Sequence, residues 1–185
     1  MTIMELLVAI ALAIVLVGTI AVVFVQSASL YKKTDARLRI YQDAKQSFRF
    51  FSRDVQNMFL DAGGAMYNFA AASVTFSATG TNRGDGDLYY VRYKIEADTF
   101  IPSKNVLVRY EQVDPLDFAT GFDEAGAKTT RTELAMGVTS ITFSEGGKKL
   151  PSNIPEWIEM ELEFEEPGNP NPLVLTHRTS PLITP

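Results

Sequence analysis

Residues 1–26 read MTIMELLVAIALAIVLVGTIAVVFVQ, and the fold follows from how they are interpreted. No residue from Leu6 to Val25 is charged, yet Glu5 stands at the amino-terminal edge of this run with no basic residue nearby. As a helix, the run spans about 30 Å, the thickness of a bilayer's hydrocarbon core. It is a membrane-span candidate. A secretory signal peptide is the competing reading, because "VQSAS" (25–29) offers small residues near a cleavage point. The run is longer than a signal h-region, however, and no basic n-region precedes it. Lys32 and Lys33 flank its C-terminal end, which by the positive-inside rule alone keeps the bulk of the chain cytoplasmic. Removal of a short basic leader ahead of Met1 reverses that orientation.

From Leu30 a second pattern takes over without a break. Tyr31, Leu38, Tyr41, Ala44, Phe48, Phe51, Val55 and Met58 recur mostly at steps of three and four, with charged residues between them. No proline occurs before Pro102, and Gly63 with Gly64 supplies a stop signal. The expectation is one helix from near residue 2 to about residue 61, some 90 Å long. It is apolar all round in residues 1–28 and amphipathic in residues 29–62.

Residues 63–185 change to strand chemistry. "DLYYVRYKIEAD" (87–98) alternates Tyr89, Val91, Tyr93 and Ile95 against Tyr90, Arg92, Lys94 and Glu96. "NVLVRYEQV" (105–113) puts Val106, Val108 and Tyr110 on one face and Arg109 and Glu111 on the other. "VTSITFSE" (138–145) contributes Ile141 and Phe143, and "LVLTHR" (173–178) places Leu173 and Leu175 inward. The cleanest alternation is "WIEMELEFEE" (157–166), with Ile158, Met160, Leu162 and Phe164 opposite Glu159, Glu161, Glu163 and Glu165. That acidic face reads as the solvent side of an edge or near-edge strand, where like charge discourages stray pairing, or else as the partner of a basic groove. "TNRGDGD", "IPSK", "SEGGKKLP" and "EPGNPNP" read as turns. Residues 65–73 and 114–130 show no firm period and read as loops over the sheet or helix, with at most one short strand around Val74 to Phe76. Short connections predict an antiparallel sheet with one wet face. The stripe from Leu38 to Val55 is the only long amphipathic helix available to cover its dry face, which makes the class α+β. Leu38, Tyr41, Phe48, Phe51, Val55, Ile158, Met160, Leu162 and Phe164 are the predicted helix–sheet core.

Composition narrows the chemistry. The 185 residues hold no cysteine and one histidine, His177, so disulfides, thiolate metal sites and Cys nucleophiles are excluded and zinc or acid–base chemistry has little to draw on. His177 reads as a sheet or loop histidine, and no catalytic, cofactor or metal residues are assigned. Asn82, Asp85 and Asp87 offer oxygens to calcium, but EF-hand spacing is absent and a turn fits better. Arg83, Gly84 and Asp85 resemble a cell-adhesion tripeptide that is too short to count. Charge is unevenly spread. Lys32 to Asp54 carries seven basic and three acidic residues, a net +4, whereas residues 55–185 carry −8 of the total −5. A basic stalk and an acidic head either attract one another between subunits or are ordinary solvated faces.

"MTIMELLVAIALAIVLV" resembles the mature N-terminus of the type IV pilin and pseudopilin superfamily, with Thr2 and Glu5 at the family's positions. "RDVQNMF", "VTSITFSEGG" and "WIEMELEFEE" are similar, more loosely, to J-type minor pseudopilins of type II secretion and W-type minor pilins. Two departures are Met1, where Phe is usual, and Val22, where many major pilins have proline. Without that proline, Gly18 is the softest point of the helix.

The resemblance implies that prepilin peptidase exposes Met1, a candidate for N-methylation, and that Glu5 meets an N-terminal amine, its own or a neighbour's. Such a pair sets register more than affinity, because desolvation offsets most of the attraction. Affinity comes from packing the helix against equivalents, through Leu6, Leu7, Ile10, Ile14, Leu16, Val17, Val22 and Phe24. The implied function is structural rather than enzymatic: a subunit that leaves the inner membrane to polymerise into an extracellular pilus or a periplasmic pseudopilus. Its implied partners are copies of itself or other pilin-like subunits, with no nucleic acid required and no cofactor. A periplasmic binding or enzyme domain tethered by its N-terminal helix is the alternative. For Glu5 the simplest competing role is an interfacial carboxylate reaching water.

Overall fold

A computed structural model describes residues 2–58, 67–70, 72–79, 88–102, 104–113, 122, 124–125, 129–149, 154–166 and 169–182. The class is α+β, with one long N-terminal helix packed on antiparallel sheets. Helix α1 runs Ile3–Gln56, and the strands are β1 Tyr67–Ala70, β2 Ser73–Thr79, β3 Leu88–Ala97, β4 Asn105–Val113, β5 Thr129–Met136, β6 Val138–Lys149, β7 Ile154–Phe164 and β8 Leu173–Thr179. Two compact units divide the chain, Met1–Arg39 and Ile40–Pro185.

In the first unit the described residues belong almost wholly to α1, and nothing in it is buried beyond an intermediate level. Sixteen large apolar side chains between Ile3 and Val25 stand 49–80% exposed. Two of its hydroxyls are satisfied locally. Thr19 Oγ1 donates to the Val15 carbonyl at 2.5 Å and Ser29 Oγ to Gln26 at 2.9 Å, so neither hydroxyl needs water. Gly18 lies inside the helix without interrupting it, and a Cβ there would meet nothing within 4 Å.

In the second unit the helix acquires a dry face. Ala44, Ser47, Phe51, Asp54 and Val55 are buried, at the three-and-four spacing of one stripe. Ala44, Phe51 and Val55 meet inward residues of both sheets in a single cluster, including Val74 and Phe76 of β2, Tyr93 of β3 and Ile158, Met160, Leu162 and Phe164 of β7. Phe51 sits edge-on to Tyr93, with ring centroids 5.5 Å apart, and tilted against Phe143 at 5.8 Å. Phe48 is half-buried against the same cluster, as expected of the stripe, but Leu38 and Tyr41 remain 55% and 50% exposed. Among the described residues the covered part of the stripe begins at Ile40 and Ala44.

The expected single sheet is two. β1-β2-β3-β4-β5 form a five-stranded antiparallel sheet and β6-β7-β8 a three-stranded one. The chain passes from one to the other at Gly137, whose φ of 71° suits glycine and whose N–H donates to the Asn105 carbonyl at 2.9 Å. Residues 65–73 and 114–130, expected to be loops, contribute β1 and the start of β5, and the short strand around Val74 to Phe76 is the seven-residue β2. β2 earns a helix contact of its own. The chain leaves α1 at Gln56, short of residue 61, because Met58 bridges to Ala78 and the Thr79 N–H reaches the Asn57 carbonyl at 2.9 Å. The expected stop at Gly63 and Gly64 lies outside the described residues.

Three further expectations are corrected. "SEGGKK" continues β6 instead of turning, with Gly146 opposite Trp157 and Lys148 opposite Pro155. A Cβ on Gly146 would fall 2.1 Å from the Trp157 ring, so glycine is what lets the indole lie across the neighbouring strand. β7 is the middle strand of a three-stranded sheet, near an edge but not at one, so its acidic face is flanked by β6 and β8. On β4 the faces are exchanged: Leu107 joins the main core and Arg109 is buried beside α1, whereas Val106, Val108 and Tyr110 form a second cluster with Phe122 on the other side. That far side is closed by charge as well. Arg92 lies 4.4 Å over the Phe122 ring and pairs with Glu124 at 2.8 Å, Lys94 pairs with the same carboxylate, and the Tyr110 hydroxyl donates to Glu96 at 2.6 Å.

Candidate membrane and assembly segment

The N-terminal turn gives Glu5 a partner that spacing alone announces. The Thr2 N–H donates to Glu5 Oε2 at 2.8 Å, and the Glu5 N–H points back at Thr2 Oγ1 at 3.4 Å. With the Leu6 N–H on the Thr2 carbonyl at 3.2 Å, this is a reciprocal capping box that satisfies amides at the start of α1. The T-x-x-E pattern at residues 2–5 is the sequence signal for it. The Met1 amine, expected to meet Glu5, lies outside the described residues. Behind the cap, α1 is long and apolar enough to cross a membrane, and none of its most apolar window is buried. Leu6, Leu7, Ile10, Ile14, Leu16, Val17, Val22 and Phe24 are all among the exposed side chains.

At the far end of the same helix, α1 is fixed to the sheet by a buried charge network. Asp54, fully buried, accepts from Arg109 Nε at 2.5 Å and Nη2 at 3.1 Å and from the Tyr93 hydroxyl at 2.6 Å. Arg109 also donates to Glu111 at 2.7 Å, and Arg53 approaches Asp54 at 3.6 Å. Burial alone would depress the Arg109 guanidinium, but the hydrogen bonds and charge of Asp54 hold it above the ordinary arginine range. Burial, then the Asp54 charge, pushes the Tyr93 phenol well above 10. The Tyr93 phenol thus stays protonated across the physiological range and keeps donating to Asp54. Sequence reasoning placed Arg109 on a wet face. The available signal was Asp54 itself, three residues after Phe51 and one before Val55 on the buried stripe.

An open groove of about 1290 Å³ runs beside α1 from Tyr41 to Gln56, with Leu175 and His177 of β8 in its wall. His177 stacks on Phe48, centroids 5.1 Å apart and planes 24° from parallel, and its Nε2 lies 2.6 Å from Ser52 Oγ. Desolvation lowers the imidazole below 6.5, favouring the neutral ring. His177 is therefore a wall of the helix–sheet joint, and Ser52, unremarked in the sequence, is its partner. Among the described residues no group of His, Cys, Asp and Glu is placed to hold a metal ion. The calcium candidates Asn82, Asp85 and Asp87, and the Arg83-Gly84-Asp85 tripeptide, lie outside those residues. No protein-family model matches the chain, and no curated protein or solved structure is significantly similar to it.

Proposed function

We propose that this chain is a structural subunit of a type IV pilin-like filament, a surface pilus or secretion pseudopilus, held in the inner membrane by α1 before it assembles. The single observation that carries the reading is the exposed apolar helix. At about 1.5–3 kcal/mol for fully burying each large apolar side chain, leaving sixteen of them half exposed in water costs on the order of 20 kcal/mol. That exceeds the stability of a typical domain, about 5–15 kcal/mol. Lipid removes the cost before assembly, and the same faces of neighbouring copies remove it afterwards. Helix–helix packing then supplies affinity, and Glu5, already fixed by the Thr2 cap, is presented in one orientation to an incoming N-terminal amine. On this reading the protein is not an enzyme, its partners are copies of itself or other pilin-like subunits, and prepilin peptidase processes it at Met1.

A second reading, a periplasmic binding or enzyme domain on a membrane tether, is favoured by the groove and its Ser52–His177 contact. The two separate on one experiment. Cells that process and assemble the chain are sheared, and the released material is imaged and identified by mass spectrometry. The filament reading expects wild-type fibres and a Glu5→Leu variant that stays in the membrane, folded, without fibres. Fibres from Glu5→Leu at wild-type yield, or none from wild type, would overturn it.

A further inference from the structure

The groove beside α1 and the acidic face of β7 lie on opposite sides of one three-stranded sheet. Along β8, Leu173, Leu175 and His177 face the helix, and Val174, Thr176 and Arg178 face away. The register places those outward residues beside Glu163, Glu161 and Glu159 of β7, with Ser140, Thr142 and Ser144 of β6 on the other flank. On this face Arg178 is bonded to Glu159 at 3.0 Å. Glu161 has no ion-pair partner there, and Glu165 is exposed just beyond the strand.

The groove has the opposite character. Lys45, Arg49 and Arg53 line it, with no carboxylate among its described lining residues, over a floor that includes Phe48 and Leu175. Lys45 and Arg49, one helical turn apart, are exposed and form no ion pair among the described residues.

We propose that the groove of one copy receives the acidic β7 face of a second copy, with Lys45 and Arg49 set against Glu161 and Glu165. This rests on the polymerisation reading and names its head-to-head surface. The two patches are complementary in charge, do not overlap and lie on opposite sides of the same sheet. A contact between unlike patches is heterologous, so repeating it adds subunits in an open series instead of closing a symmetric pair. Exposed charges of this kind steer docking and fix register more than they add affinity, which suits a contact added to the helix packing.

Charge exchange in the full chain tests it. K45E/R49E and E161K/E165K are each expected to lower the sheared-filament yield about tenfold, and the four-site variant to recover most of it. Protease resistance checks folding, and K45Q/R49Q, gentler on the helix, should fall several-fold. Wild-type fibres should also shorten in 1 M salt, where the screening length falls to about 3 Å. Half-reversed or neutralised variants that assemble like wild type overturn the contact. So does loss in K45E/R49E without recovery in the four-site variant, which would instead assign the groove to anionic lipid headgroups. Absence of wild-type fibres refutes the polymerisation reading itself, so the two failures are distinct.

Discussion

Replacing Asp54 by asparagine keeps the side chain's size and removes its charge from the centre of the helix–sheet joint. The wild-type carboxylate is fully buried and takes three hydrogen bonds of 2.5–3.1 Å, two from Arg109 and one from Tyr93. Two unit charges about 4 Å apart attract by about 4 kcal/mol at an effective dielectric near 20. Removing one member of such a pair leaves the other buried without compensation, which costs about 3–5 kcal/mol. Glu111 stays 2.7 Å from Arg109 and relieves part of that, so the lower end applies. Urea unfolding of the full chain in detergent micelles, followed by fluorescence of the sole tryptophan, Trp157, should report a loss of about 3 kcal/mol. In heating experiments that corresponds to about 6–12 °C, at 2–4 °C per kcal/mol for a chain of this size. Arg109→Met should cost a similar amount, and the double variant should recover about 2 kcal/mol of the sum. A loss under about 1 kcal/mol for Asp54→Asn, or strict additivity in the double variant, would refute the claim that this pair pins α1 to the sheet.

Gly146→Ala forces the Trp157 ring out of a space 2.1 Å from the new Cβ and off Arg178, which lies 4.1 Å over it. It should cost about 1–3 kcal/mol and shift the tryptophan emission, and an unchanged spectrum and melt would contradict the packing. His177 contributes to the pH dependence with a fixed sign. Its folded pKa is depressed by burial, so the unfolded chain binds the proton more readily and stability falls as pH drops through 6.5 toward the folded value. Melts at stepped pH should show that slope in wild type and its loss in His177→Gln; a slope of the opposite sign would remove the desolvation account. Thr2→Ala deletes half of the capping box while leaving Glu5 charged. First-turn amides should exchange about fivefold faster, the equivalent of ~1 kcal/mol, yet filament yield should fall far less than for Glu5→Leu. Equal losses would reduce Glu5 to a local cap.

What the sequence made legible follows periodicity. The helix was readable because its apolar and amphipathic halves share one uninterrupted stretch, and β3, β4, β7 and β8 because they alternate strictly. β2 was legible only in part, around Val74 to Phe76, and β1 and β5 were hidden for different reasons: "YNFA" is too short to show a period, and "TTRTELAM" mixes polar residues on both sides because the wetter end of its strand is half exposed. β6 looked shorter than it is because Gly146 and Gly147, normally turn signals, serve there to admit Trp157 and Glu156. Inverting β4 needed knowledge of Asp54, since Arg109 turns inward only where a buried carboxylate receives it. The Thr2–Glu5 box was fully present in the spacing of residues 2–5 and was overshadowed by the membrane-span pattern that follows it. Leu38 and Tyr41 fit the stripe but stand about half exposed among the described residues.

The central claim is that the exposed face of α1 ends among copies of itself. A photo-crosslinking residue at Ile14, 66% exposed in the single chain, tests it in sheared and membrane fractions. The account predicts a ladder of crosslinked multimers of this chain in the sheared fraction and monomer–lipid adducts in the membrane fraction. Lipid adducts alone in both fractions, with no self-crosslink, would contradict it.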